Sequence, residues 1–232
     1  MATVTRGTLG TGDGTGSSTT VATGAVVATA GRLLVAEVGF EGTGSETLSS
    51  VADTAGGTWA FSSTVVGSSL VSSAVAWCLS TPGHSSNVVT ATFSAAVAFR
   101  SIRVQEYAVD SSGTWAVVAG EGTSSGTGGP GGPIVSTTLT TTLPNAVLGY
   151  AICTTNSPQG FTDNNGWNEL YQASFDSQSG FDVIKTSTGT WSASVTLDDG
   201  DVSGWALLLK AFQFTVIPTV YGSYARMGLR LA

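Results

Sequence analysis

Apolar and hydroxyl-bearing residues alternate along much of this chain. In Trp191-Ser192-Ala193-Ser194-Val195-Thr196-Leu197 the odd positions are apolar and the even ones carry hydroxyls, which predicts a strand with one face in a core and the other in water. Val89, Ala91 and Phe93 alternate with Thr90 and Thr92 in the same way. Other runs, Leu33-Leu34-Val35-Ala36 and Trp205-Ala206-Leu207-Leu208-Leu209, are apolar on both faces and suit central strands. Helical spacing is nearly absent, and Gly, Ser, Thr and Val fill helices poorly. Turn signals at Ala55-Gly56-Gly57, Pro82-Gly83, Asn164-Asn165-Gly166 and Asp198-Asp199-Gly200 separate strand-like stretches. They fall about 8 to 12 residues apart, the spacing expected of a sandwich. Roughly twelve to fourteen strands are predicted.

The order of these signals repeats. The first half runs from an apolar strand (Leu33 to Phe40) through "VADTAGGTW" and a long strand ending at Cys78 to "VVTATF" and "RSIRVQEYAV". The second runs from Val147 to Cys153 through "FTDNNGW" and Gly180 to Thr186, then "WSASVTL" and "GWALLLKAF". Two similar sets of strands predict two halves that share a sandwich. Between them "GEGTSSGTGGPGGP" (residues 120–133) is expected to be a flexible loop, since so much Gly and Pro should not hold a regular ladder. The division that follows is a flexible N-terminal arm (1–18), one antiparallel all-β sandwich (19–212) and a C-terminal extension (213–232).

Composition narrows the function classes. Hydrophobic residues make up 41% and charged residues 10%, too apolar for a disordered chain. The net charge of −7 argues against a nucleic-acid partner. Only residues 213–232 reverse the sign: Arg226 and Arg230 lie there without an acid, leaving six basic against fifteen acidic side chains, or −9, on the rest. No stretch approaches the roughly 20 apolar residues of a membrane span, and no secretory signal follows Met1, so synthesis in the cytoplasm is expected. Cys78 and Cys153 are too few for a disulfide scaffold and are expected as buried free thiols rather than a bridge.

Candidate chemistry is sparse. Asp198, Asp199 and Asp201 could gather around calcium, but the same residues make a plain turn, and no further ligands stand at calcium-loop spacing. His84 follows Pro82-Gly83 in a turn, where a surface role outweighs a triad. Glu37, Glu106, Asp53 and Asp110 could serve a glycosidase only if two of them shared a cleft. Trp59, Trp77, Trp191 and Trp205 fall inside strands and read as core; Trp115 and Trp167 lie nearer loops and are candidate glycan contacts. No catalytic, cofactor-binding or metal residues are assigned, and a non-enzymatic protein without cofactor is expected.

The last residues, "FQFTVIPTVYGSYARMGLRLA", are apolar, aromatic and basic together. Left in water they would form an exposed apolar strip. They fold back as an extra strand or lie on a neighbouring subunit, and the content of Tyr and Arg favours the second. Phe214, Ile217, Tyr221, Tyr224, Arg226, Met227 and Arg230 are the expected interface residues.

"SSVADTAGGTW", "VVTATFS", "RSIRVQEYAV" and "GWALLLKAF" together resemble virion structural proteins of tailed bacteriophages, Ser/Thr/Gly/Ala-rich sandwiches of jelly-roll type. The likeness spans about residues 20 to 212 and rests on turns and strand patterns. It implies capsid decoration, or a tail or fibre component, with the virion as location. Major capsid or other virion proteins and further copies of the chain would be the partners, and membrane would not. A carbohydrate-binding or host-adhesion module is the alternative.

Overall fold

The computed structural model describes residues 2–67, 70–127, 132–155, 160–173, 178–197 and 204–218. In the first half these form β1 (Val4–Gly14), β2 (Ser18–Ala22), β3 (Val26–Ala28), β4 (Leu33–Glu41), β5 (Leu48–Asp53), β6 (Ala60–Phe61), β7 (Val65–Val66), β8 (Val71–Cys78), β9 (His84–Asn87), β10 (Val89–Val97) and β11 (Arg100–Val109). The second half begins with β12 (Gly113–Val117), β13 (Gly122–Thr127), β14 (Ile134–Val135), β15 (Leu139–Thr141), β16 (Ala146–Thr154) and β17 (Phe161–Asp163). It closes with β18 (Asn168–Gln172), β19 (Gln178–Lys185), β20 (Gly189–Trp191), β21 (Ser194–Leu197) and β22 (Gly204–Val216).

Each half is an antiparallel sandwich. In the first, β1-β11-β4-β8-β6 faces β2-β10-β5, with β7 also on β8. The first long strand therefore pairs with the last, and β4 lies between the last and β8. In the second half β22-β16-β19-β18 faces β14-β21-β17 by the same logic. There β12 and β13 divide the place of β1, pairing with the two ends of β22.

Side-chain parity stacks the four sheets. Along β4, Leu34, Ala36, Val38 and Phe40 point into the first half's own core with Val51, Ala91 and Phe93. Leu148, Tyr150 and Ile152 of β16 point into the second core with Phe161, Phe181 and Val195. The alternate residues, Leu33 and Val35 on one side and Val147, Ala151, Leu208 and Phe212 on the other, meet in a third apolar layer, here called the seam, between the two large sheets. Both faces of β4, β16 and β22 are thus covered, which is why those segments read as unbroken apolar runs. The halves share this layer, and each also encloses a core of its own.

Three expectations about boundaries change. The segment expected as a free arm (1–18) is not one over its described residues, because β1 pairs with β11, Ala2 and Val4 are buried, and Arg6 reaches the second half. Much of the Gly-rich segment holds a ladder after all: Gly122–Thr127 pairs with Gly204–Leu209. Glycine fits there because a Cβ at Gly126 would strike the Trp205 ring, so the bare backbone lets the indole lie against the strand. Finally, β22 continues past residue 212 to Val216, and the extension starts only beyond it.

Candidate functional site

Of the carboxylates singled out in the sequence, Asp53, Glu106 and Asp110 each hold local structure. Asp53 accepts the amide of Gly57 at 2.8 Å and closes the turn after β5. Glu106 takes the amide of Thr29 (2.6 Å) and the guanidinium of Arg32 (2.5 Å). Asp110 accepts the amide of Thr3 at 2.7 Å, which fastens the chain's start to the end of β11 and holds its pKa below the ordinary value. His84 lies exposed, its Nδ1 accepting the amide of Ser86.

Glu37 is different, because it stands in the seam, where β4 faces β16 and β19. Its partner is Arg103 of β11, and both side chains are 1% exposed. Neither group has a further hydrogen-bond partner among the described residues. Burial without such bonds pushes the Glu37 pKa well above its ordinary value, against the pull of Arg103. Space for the pair comes from the opposite sheet: a Cβ at Gly149 would stand 2.6 Å from Glu37 Oε1, and one at Gly180 would collide with Glu37 Oε2.

A second buried carboxylate, Asp182 of β19, is held from the first half. Arg6 of β1 grips it with Nε (2.8 Å) and a terminal nitrogen (2.6 Å), and the Tyr107 hydroxyl of β11 donates to it. The contact raises the pKa of Arg6, and burial raises that of Tyr107 well above the usual phenol. Gln178 accepts from Ser101 at 2.5 Å, and Ser73 donates to the carbonyl of Ala206 at 2.8 Å. Every one of these bonds joins one half to the other. Among the described residues no group of three or more His, Cys, Asp or Glu could hold a metal.

Cys78 and Cys153 are buried free thiols, and burial raises both pKa values, so neither is a nucleophile near neutral pH. Asp198, Asp199 and Asp201 lie outside the described residues, as do Tyr221, Tyr224, Arg226, Met227 and Arg230. Of the remaining expected interface residues, Phe214 is instead packed inside, edge-on to Trp115 at 5.2 Å, while Ile217 is exposed.

The two tryptophans expected at loop surfaces are both buried. Trp115 is shut in against Phe214, and Trp167 sits edge-on to Tyr150 at 5.1 Å. One edge of Trp167 nevertheless helps to line a cleft of about 300 Å³ on the outer corner of the second half, with Asn165, Lys185, Thr190, Trp191 and Ser192. Sequence reasoning missed Lys185 and Trp191, because they come from two different strands and meet the Asn165 turn only through the fold. Comparison of the chain with models of known families, with curated proteins and with solved structures finds no match.

Proposed function

We propose that this chain is a non-enzymatic structural protein of a virus particle, a decoration or cement protein bound to the outside of an assembled shell. The observation that carries the reading is the use made of ionisable side chains in the inner sheets: Arg6 and Asp182 bind one half to the other, and Glu37 with Arg103 ties two neighbouring strands of the first half beneath the second, instead of lining a cleft. Such a body resists deformation, as a part laid across subunit junctions must. The sequence resemblance to phage virion proteins supplies the setting.

A decoration protein binds the assembled state and not the free subunits, and so stabilises the shell by mass action. Stable attachment takes about 1,200–2,000 Å² of buried surface, which the outer sheets and residues 219–232 would supply against capsid protein and further copies of the chain. The test is sedimentation of purified chain with particles of the phage that encodes it, stripped of this protein. Saturable binding at a fixed ratio to capsid subunits, with the particles gaining heat resistance, is expected. A chain that stays in the supernatant at micromolar concentration overturns the reading. A chain ending at residue 218 should bind the same particles more weakly.

A further inference from the structure

We propose that the cleft lined by Asn165, Trp167, Lys185, Thr190, Trp191 and Ser192 is a binding site for an acidic saccharide, with the Lys185 ammonium receiving the sugar's carboxylate. The site does not depend on where the protein resides.

Its parts are built by three segments. The turn after β17 is fixed by Asp163, whose carboxylate accepts the amides of Asn165 (2.8 Å) and Trp167 (2.7 Å) and the hydroxyl of Tyr150 (3.1 Å). Asn165 is then tied to the Ser192 carbonyl through its Nδ2 at 2.9 Å, which leaves its Oδ1 to accept a hydroxyl. On β20 the Trp191 indole donates to Thr141 at 2.9 Å and lies close over the bare backbone of Gly189, where a Cβ would stand 2.7 Å from the ring. Its orientation is therefore set before any ligand arrives.

Lys185 ends β19 with its ammonium 4.5 Å from the centre of the Trp191 ring. Among the described residues that indole is its one recorded partner, and Lys185 is the one charged side chain of the lining. Asp163, the nearest acid along the chain to the turn, spends its oxygens inside it. An ammonium beside an indole, ringed by an amide and two hydroxyls, suits a pyranose whose apolar face packs on the aromatic edge and whose carboxylate meets the cation. The volume, at the low end for small-molecule pockets, suits a single ring.

The first half shows the same corner without the site. There Asp53 closes the equivalent turn through the Gly57 amide, just as Asp163 does through that of Trp167. The registers also match, Asp53 opposite Val89 and Asp163 opposite Val195. At the positions of Asn165, Trp167 and Lys185 the first half has Ala55, Gly57 and Cys78, all small, and the last two lie close together: a Cβ on Gly57 would stand 2.9 Å from Cys78 Sγ. The shared turn thus needs neither the tryptophan nor the cation, and only the second half adds them.

The test uses the full chain and three probes, glucuronate, galacturonate and N-acetylneuraminate, each beside its methyl ester, which keeps the ring and removes the charge. Indole N–H resonances of Trp167 and Trp191 report binding. At least one acid should shift both saturably at millimolar concentration, with its ester about tenfold weaker, the factor expected for a lost charge-assisted hydrogen bond. Lys185→Met should erase the preference for the acid while the melting temperature and the other indole signals stay in place. Asn165→Ala, in an exposed turn, should weaken acid and ester alike. The site is refuted if none of the three acids moves these resonances, if acid and ester bind equally well, or if Lys185→Met keeps the preference.

Discussion

The interiors of the two sandwiches and the seam between them are buried to the same degree but built differently. Each interior is filled by aliphatic and aromatic side chains, as in the stacking of Tyr150 on Phe181 (4.8 Å) and of Phe40 beside Phe93 (4.6 Å). The seam mixes Val35, Val147, Leu208 and Phe212 with Glu37–Arg103 and with Asp182, Arg6 and Tyr107. Apolar packing alone tolerates sliding, because one methyl contact resembles another. The Arg6–Asp182 pair does not, since sliding the halves would part the buried carboxylate from its cation. The interiors supply most of the cohesion, and that pair fixes how the halves meet.

The largest effect should come from breaking a seam pair on one side. Arg103→Met leaves Glu37 buried and unpaired, and chemical denaturation should show a loss of about 3–5 kcal/mol. The double change Glu37→Leu with Arg103→Met should recover most of it; a single change costing no more than an ordinary surface mutation would remove the ions from the account. Next comes Leu148→Ala in the second interior, fully buried, at about 2–5 kcal/mol, and this loss should not depend on the state of Glu37. Gly180→Ala should follow at about 1–3 kcal/mol, because the new methyl meets Glu37 and Arg103 across the seam.

Acidity separates the regions more gently. Glu37 holds its proton to higher pH when folded than when unfolded, so the folded state binds more protons across the window between those two pKa values. Stability should therefore fall as pH rises through that window, and Glu37→Gln should flatten the slope in thermal melts. Glu46 has the opposite sign: its pKa is lowered chiefly by hydrogen bonding to Thr43, so its contribution is present above the unfolded carboxylate range and fades as pH falls. Glu46→Gln should give the smallest change of the series and remove that fading.

The period-two alternation announced the sandwich, and the doubly apolar runs of β4 and β22 announced strands covered on both sides. The repeated order of strands, with "VADTAGGTW" and "FTDNNGW" at corresponding places, marked the two halves. What could not be read was which covered face met which. Glu37 looks like a surface acid in "LLVAEVGF" until β16 and β19 are laid over it, and Gly149 and Gly180, which make room for it, look like any other strand glycines. The loop tryptophans misled for a related reason: Trp115 lies close to a turn in sequence but beside Phe214 in space. Short strands such as β14 and β20 carry too few residues to show a period at all. The outer cleft was hidden because Lys185, Trp191 and Asn165 are brought together by β19, β20 and the turn after β17, with no common motif.

Because β1 pairs with β11 and β22 with β12 and β13, each half closes only when its final strand arrives. During synthesis the first half is complete once Val109 has emerged, yet its seam face must wait for β16, β19 and β22. Throughout that interval Glu37 and Arg103 sit hydrated on an otherwise greasy sheet, a mark that discourages premature docking with another nascent chain. The pair that the second half later encloses would first keep the joint from closing on a stranger.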